Sequence, residues 1–140
     1  MKYPYVGSVD WAFMRYMDIA DGEDPSLVYL RRLILFKTPL CAVYLHWIYT
    51  ADKDRHPHNH PMNFLSLILH GGYSQFKKRD VWSHHRWFNL MKKDQFHQIT
   101  ELDRVPCLTL MLCGRRTQDW GFMTRAGFVD QTTYRRERNA

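Results

Sequence analysis

Three histidines at alternate positions stand out in a short segment near the middle of the chain: His56, His58 and His60. Neutral imidazole is the side chain that most often binds transition metals in proteins. Residues i and i+2 of an extended segment project from the same face, so His58 and His60 are expected to hold one side of a metal ion. A third imidazole from His97, further along the chain, would complete a site with open positions for a substrate.

The segments that must position these histidines are predicted to be short β-strands. Apolar runs recur between turn signals at spacings of roughly 8–12 residues, as in an all-β barrel or a double-sheet jelly roll. The predicted strands cover residues 27–36, 40–50, 64–69, 73–78, 87–90, 97–102, 107–113, 120–123 and 127–129. Gly71 and Gly72 are expected to join strands 64–69 and 73–78 into a hairpin. His84 and His85 are expected in an exposed loop.

One amphipathic helix is predicted ahead of the strands, over residues 9–20. Ser8 can cap it, and Asp21-Gly22 would end it. The apolar residues that recur at helical spacing are Val9, Ala12, Phe13, Tyr16, Met17 and Ala20. Residues 1–140 are predicted to form a single domain, with a helical segment in 1–26, a β-barrel in 27–130 and a basic tail in 131–140.

Composition bounds the class of protein. The 140 residues are 45% hydrophobic and 15% aromatic, which is enough apolar material for one folded core. No run approaches the roughly 18 apolar residues of a membrane span, and the N-terminus lacks a secretory signal, so a soluble cytoplasmic protein is expected. Cys41, Cys107 and Cys113 lie in apolar runs and are predicted to be buried free thiols.

The formal charge of +6 raises the question of an anionic partner. A solvated basic tail accounts for part of the charge, an anionic small molecule ranks second, and nucleic acid is an unlikely third. The arginines that are candidates for anion recognition are Arg31, Arg32, Arg55 and Arg86. Arg55 lies nearest the histidines in sequence and Tyr73 could add a hydroxyl, so these two are the predicted substrate-binding residues. His46 and His70 are expected to be ordinary core or rim residues.

Several motifs in order resemble those of the cupin superfamily, and more closely those of bacterial and phage cupin-like proteins. That group shows Asp-x-Asp-Arg, then His-Asp-His-Pro, an apolar strand, Gly-Gly-Tyr, a later His-containing strand and Trp-Gly-Phe. The matching stretches here are Asp52-Lys53-Asp54-Arg55, His58-Asn59-His60-Pro61, 64–69, Gly71-Gly72-Tyr73, Phe96-His97 and Trp120-Gly121-Phe122. The resemblance implies a double-stranded β-helix, the cupin-type jelly-roll barrel, with one metal ion inside.

Two departures from that pattern concern the ligands. Cupins usually supply a glutamate shortly after the paired histidines, whereas residues 63–66 contain no carboxylate, and Gln75 stands where the related group tends to have an acid. The resemblance therefore implies a site of three imidazoles, with Gln75, Asn63 and His56 as further candidate ligands. In ligand type it resembles the three-histidine iron sites of cupin-fold thiol dioxygenases. Iron(II) is favoured, although zinc, manganese and nickel also accept imidazole.

Two functions from different classes follow. The first is a metal-dependent cupin, a dioxygenase-like oxidoreductase that acts on a small anionic substrate at the three-histidine site. The alternative is a non-catalytic cupin-fold binding or structural protein, encoded by a phage. Flat sheet edges and the apolar two-sided strand 40–50 make a homodimer the expected assembly.

Overall fold

A computed structural model describes residues 11–20, 24, 26–52, 56–77 and 81–138 of the chain. These residues form three antiparallel β-sheets and one short helix. The strands are β1 (Ala12–Ala20), β2 (Val28–Lys37), β3 (Ala42–Ile48), β4 (Phe64–His70), β5 (Tyr73–Lys77), β6 (Val81–His85), β7 (Phe88–Met91), β8 (His97–Leu102), β9 (Cys107–Cys113), β10 (Gly121–Thr124) and β11 (Gly127–Asp130), and the helix is α1 (Gln131–Arg138). The expectation of a mostly β fold is confirmed.

The largest sheet has the order β1-β2-β3-β9-β4-β7, and a second sheet has the order β6-β5-β8. Strand β9 lies between β3 and β4, so strands distant in sequence share the centre of the large sheet. Side chains of β3 and β9 alternate strictly between buried and partly exposed positions. That alternation gives the sheet an inner face, packed in the core, and an outer face.

Two apolar clusters fill the inner face toward opposite ends of its strands. One cluster contains Ile34, Ala42, Tyr44, Phe64, Met91, Met111 and Cys113. The other contains Leu30, Ile48, Ile68, Tyr73, Ile99 and Cys107. Each central strand contributes a residue to both clusters, so the strand is anchored at both ends by burial of apolar surface.

Between the two clusters the inner face is polar. The residues of this polar belt are Arg32, His46, Thr109, Ser66 and Asn89, one from each of β2, β3, β9, β4 and β7. Arg32 pairs with His46 across β2 and β3, and His46 pairs with Thr109 across β3 and β9. Thr109 and Asn89 are each 1% exposed, although polar groups at core positions are costly unless they are hydrogen-bonded.

The predicted N-terminal helix is wrong for the part of it that the structure describes. Residues 12–20 are the edge strand β1, paired with β2 and tied to it by an ion pair between Asp18 and Arg31. Met14 has a positive φ of 48°, and the register shifts between Ile19 and Ala20. These irregularities interrupt the two-residue alternation of a regular strand. Hydrogen bonding to the edge of β2 determines the structure of this segment, although its apolar residues have helical spacing. Residues 9 and 10 lie outside the described ranges.

The predicted hairpin at Gly71-Gly72 is also wrong, because β4 and β5 belong to different sheets. Gly71 has a φ of +87°, a conformation that favours glycine. A Cβ at Gly72 would overlap the side chain of Asp103 and crowd the carbonyl oxygen of His85. The two glycines therefore carry the chain from the large sheet to the smaller one instead of turning it back.

Three smaller differences concern the surface. His84 and His85 belong to strand β6 and not to a loop. Residues 131–138 of the predicted basic tail form α1, where the Tyr134 ring stacks on Phe122 with centroids 3.8 Å apart. Cys41 is exposed, whereas Cys107 and Cys113 are buried as predicted, and all three are free thiols. Among the described residues, no helix is long and apolar enough to cross a membrane.

Candidate metal centre

The segment that carries His58 is hydrogen-bonded between two strands. The His58 N–H donates to the His97 carbonyl, and the His97 N–H donates to the His58 carbonyl, both at 2.9 Å. On the other side, the Met123 N–H donates to the Pro57 carbonyl at 2.8 Å. His58 thus forms one-residue bridges to both β8 and β10. A segment that is short and flanked by prolines is thereby held as firmly as a strand.

Asn59 fixes the same segment through its side chain. Its Oδ1 accepts a hydrogen bond from the Gly121 N–H at 2.8 Å, and its own N–H donates to the Gly121 carbonyl at 3.1 Å. A Cβ at Gly121 would overlap the carbonyl oxygen of Val129 on strand β11, so only glycine fits at this position of β10. Gln118 donates from Nε2 to the His60 carbonyl at 2.9 Å. These contacts give Asn59 and Gly121 structural roles beside the histidines.

The structure brings His58, His60 and His97 together. One nitrogen from each ring can be chosen so that all lie within 4.8 Å of one another. Nε2 of His60 and Nε2 of His97 are 2.8 Å apart. Two ligand nitrogens about 2.1 Å from a metal and at right angles to each other would be about 3.0 Å apart. The spacing of this pair therefore suits two adjacent ligands of one ion, and equally a direct hydrogen bond between the two rings.

Gln75 supports the site from behind His97. This side chain is completely buried, and its Oε1 lies 3.0 Å from His97 Nδ1. The same oxygen accepts a hydrogen bond from Asn89 Nδ2 at 2.9 Å. An acceptor at Nδ1 favours the tautomer that keeps a lone pair on His97 Nε2, the nitrogen that faces His60. In this arrangement Gln75 orients a candidate ligand through the far side of its ring.

The electrostatic environment keeps the imidazoles of His60 and His97 neutral. Burial, with a smaller contribution from the neighbouring His58, lowers the pKa of His97 to about 3. Burial likewise holds the pKa of His60 well below its usual value, with smaller contributions from the charges of His97, His58 and Arg32. Neutral imidazole is the form that binds metals. The donor set therefore fits a divalent transition metal ion.

No carboxylate belongs to the histidine cluster in the part of the chain that the structure describes. Asn63 is exposed, and its Oδ1 accepts a hydrogen bond from the Lys93 N–H at 2.8 Å. His56 is exposed as well, with Nδ1 3.0 Å from the Tyr134 hydroxyl. Neither candidate ligand belongs to the cluster of three, and each already has another contact.

The two predicted substrate-binding residues have different outcomes. Tyr73 is 3% exposed, and its hydroxyl accepts a hydrogen bond from Asn89 Nδ2 at 2.8 Å. Asn89 also contacts Gln75, so Tyr73 joins the hydrogen-bond network behind His97. Arg55 lies outside the described residues.

Sequence reasoning named Arg32 as one of four candidates for anion recognition and expected His46 to be an ordinary core or rim residue. In the structure the Arg32 Nε donates to His46 Nε2 at 2.9 Å, on the inner face of the large sheet. Both faces of strand 40–50 are apolar in sequence, so the pattern could not tell which face is internal. The signal that could have identified them is that Arg32 and His46 are paired on neighbouring strands. Recognising that pair requires the register of the two strands to be known.

Two hollows on the described surface lie away from the histidines. One, of about 590 Å³, is lined by Tyr16, Met17, Asp18, Arg31, Trp47 and Tyr49. The other, of about 360 Å³, is lined by Ile68, Leu69, His70, Gly71, Arg86, Trp87 and Arg104. Neither contains a histidine of the cluster.

No family model matches this chain, and no curated protein matches it by sequence. Solved structures do resemble it. A cupin-2 conserved barrel domain protein from Rhodopseudomonas palustris is 16% identical with a TM-score of 0.57, over 81% of this chain and 79% of that one. FeII HppE is 13% identical with a TM-score of 0.56, over 71% and 55%. A structure described for the DMSP lyases RdDddP and RnDddQII is 17% identical with a TM-score of 0.53, over 68% and 53%.

These similarities concern the fold alone, because the identities are low. They agree with the predicted cupin-type fold, the double-stranded β-helix. A conserved protein from Klebsiella pneumoniae with a double-stranded β-helix domain is also similar in structure. The chain spans about half the length of the two enzyme structures. Structures of DMSP lyases, of FeII HppE and of a cupin-2 domain protein thus resemble the fold of a chain that carries a three-histidine cluster.

Proposed function

We propose that this chain is a metal-dependent cupin in which His58, His60 and His97 hold one divalent transition metal inside the barrel. The observation that carries the proposal is the convergence of the three imidazoles within 4.8 Å. Two of the three come from one segment held between strands, and the third comes from β8. Such a facial arrangement leaves further coordination positions open.

The proposed activity is that of a dioxygenase-like oxidoreductase acting on a small anionic molecule. Three neutral ligands leave the charge of a divalent ion uncompensated, so an anionic substrate would be attracted to the open positions. Iron(II) is the favoured ion, and the similarity to FeII HppE supports that choice. When bound, the metal would supply the redox chemistry and a site for oxygen.

The residues of this chain would position and shield that chemistry. Gln75 orients the His97 ring through Nδ1, and the Phe64 ring lies edge-on to His60 with centroids 4.6 Å apart. Phe122 covers His58 with centroids 5.9 Å apart. Aromatic cover of this kind limits the access of water to the ligand nitrogens, which protects a metal site from competing reactions.

One observation favours the second candidate, a non-catalytic cupin-fold binding or structural protein. The 2.8 Å contact between His60 and His97 can be a hydrogen bond between two neutral rings. Such a pair satisfies the buried nitrogens without an ion. A phage origin, a cytoplasmic location and a homodimer remain predictions.

Metal analysis together with oxygen uptake separates the two candidates. The purified protein is reconstituted with iron(II) under anaerobic conditions, and oxygen consumption is then measured with a panel of thiols and 2-keto acids. About one iron per chain and substrate-dependent oxygen uptake are expected for the enzyme. A chain that binds no added iron(II), zinc, manganese or nickel would be the non-catalytic protein.

A further inference from the structure

The Arg32 guanidinium belongs to the polar belt, and no ion pair with a carboxylate is found for it among the described residues. Its Nε donates to buried His46, and its Cζ lies 4.5 Å from the centre of the Tyr44 ring. The ion pairs found among the described residues join other partners, Arg31 with Asp18 and His84 with Asp103. A cation in the interior of a protein is costly when no negative charge accompanies it. Arg32 is only partly exposed, so a charge placed at this position without a carboxylate partner points to a ligand.

The neighbouring residue shows what an ordinary surface arginine does in this fold. Arg31 points to the outer face, where its Nε and Nη2 contact the two carboxylate oxygens of Asp18 at 2.8 and 3.1 Å. Adjacent residues of a strand project to opposite faces, which sends Arg32 inward. Arg31 therefore has a structural role in an ion pair, whereas the charge of Arg32 is not neutralised by a carboxylate of the described residues.

The contacts of Arg32 leave one edge of its fork available. His46 occupies Nε, so a side-on pair through Nε and one Nη is excluded, whereas the two Nη groups can bind end-on. The Tyr44 ring covers one face of the guanidinium and stacks on His46 with centroids 5.8 Å apart. These contacts fix the plane of the guanidinium before any ligand arrives, which reduces the entropy lost on binding.

Arg32 is also electrostatically linked to the histidine cluster. Its positive charge is one of the causes that lower the pKa of His60. Burial is the main cause that lowers the pKa of Arg32 itself, and it is opposed by Tyr44, Cys113 and Tyr29, which are not carboxylates. Arg32 and the candidate ligand His60 therefore share one electrostatic environment, as a site that binds both ends of a small molecule requires.

We propose that Arg32, oriented by His46 and Tyr44, binds the anionic group of the substrate as an oxyanion with two oxygens on one atom. A carboxylate or a phosphonate meets that requirement. This inference rests on the proposed function, because the metal would bind the other end of the same molecule. Of the arginines that are candidates for anion recognition, the inference selects Arg32, which lies in the polar belt.

The test measures binding of propionate and of methylphosphonate by calorimetry. Both the zinc-loaded protein and the metal-free protein are titrated, for the wild type, Arg32→Met and the matched control Arg31→Met. Zinc content and melting temperature are measured for each. We expect Arg32→Met to keep its zinc and to bind the preferred anion roughly 10- to 100-fold more weakly, the usual effect of losing a charge-assisted hydrogen bond. Arg31→Met should bind as the wild type does.

Two results would overturn the inference: equal anion affinity in the wild type and Arg32→Met, or no binding of either anion by the wild type. If the wild type takes up no zinc, the proposed metal function fails. The metal-free titrations of Arg32→Met against Arg31→Met then decide the inference separately. If Arg32→Met does not fold, Arg32→Lys keeps the charge and loses the fork, and an undiminished affinity in that variant would also refute the proposal.

Discussion

Two features of the large sheet depart from the usual distribution of polarity, the polar belt between the inner apolar clusters and the apolar pairs on the outer face. On the inner face the belt from Arg32 through His46 to Asn89 is polar, although it lies in the core. On the outer face the cross-strand neighbours are apolar, among them Val43 paired with Leu112. A small domain without other demands would place these residues the other way round.

This departure indicates that the two faces of the sheet have different roles. Asn89 of the inner belt donates a hydrogen bond to Gln75, which in turn contacts His97, so the belt is connected to the candidate metal centre. Natural sequences break a local rule of this kind mainly at functional sites. The outer face is a candidate for association with a second copy, as the predicted homodimer requires.

The largest expected effect comes from breaking the inner face at a ligand. His60→Ala removes one of three imidazoles and should reduce the bound metal from about one ion per chain to nearly none. His70→Ala, which removes an exposed histidine at the end of β4, is the matched control and should retain the metal. Elemental analysis after reconstitution measures both. Equal metal content in the two variants would remove His60 from the site.

A smaller effect is expected one shell further out, at Gln75. Gln75→Leu deletes the acceptor at His97 Nδ1 and should weaken metal binding roughly 10- to 100-fold, as loss of such a partner does elsewhere. Gln75→Glu keeps an acceptor there and adds a negative charge, so it should bind hard divalent ions at least as tightly as the wild type. Calorimetric metal titration compares them, and identical isotherms for all three proteins would show that Gln75 has no part in the site.

The buried His46 predicts a dependence of stability on pH. Burial and the charge of Arg32 hold its folded-state pKa well below 6.5, so the unfolded chain binds more protons than the folded one as the pH falls below about 6.5. Folding stability is therefore complete above that pH and is lost progressively below it. In metal-free protein, His46→Gln should make the slope shallower by up to about 1.4 kcal/mol per pH unit. Urea unfolding between pH 4.5 and 7.5 measures this, and parallel slopes would contradict it.

The smallest effect on folding is expected on the outer face. Leu112 is 38% exposed, so Leu112→Lys should change the free energy of unfolding by no more than about 0.5 kcal/mol. It should nevertheless convert the predicted homodimer to a monomer, because a charge is placed within an apolar surface. Light scattering on the wild type and the variant tests the second part. A monomeric wild type would contradict the predicted homodimer and the role of the outer face in it.

The strands were predictable where local pattern and tertiary environment agree. Strand β8 (His97–Leu102) and strand β9 (Cys107–Cys113) have the predicted bounds, because each is a short apolar or alternating run between turn signals. Strand β1 failed because its apolar spacing suits a helix, while pairing to the edge of β2 depends on contacts distant in sequence. The turn at Gly71-Gly72 failed for the same reason, since glycine permits a turn without choosing its direction.

The site was predictable in its side chains and less so in its surroundings. The spacing of His58 and His60 and the resemblance of later motifs named all three imidazoles of the cluster. The role of Gln75 depends on which side of the His97 ring it meets, and Arg32 depends on the phase of β2 relative to β3. Both are matters of register, which the alternation of a strand apolar on both faces does not specify.

The two one-residue bridges at His58 have a consequence for local opening of the fold. Because His58 pairs with both His97 and Phe122, the terminal hairpin β10–β11 cannot separate from the barrel without disturbing a candidate ligand. An ion bound at the histidines would make that separation rarer by mass action. The amide of Met123, which donates to Pro57, should then exchange its hydrogen with solvent more slowly in metal-loaded than in metal-free protein. Amide exchange in the terminal hairpin would thus report the occupancy of the centre.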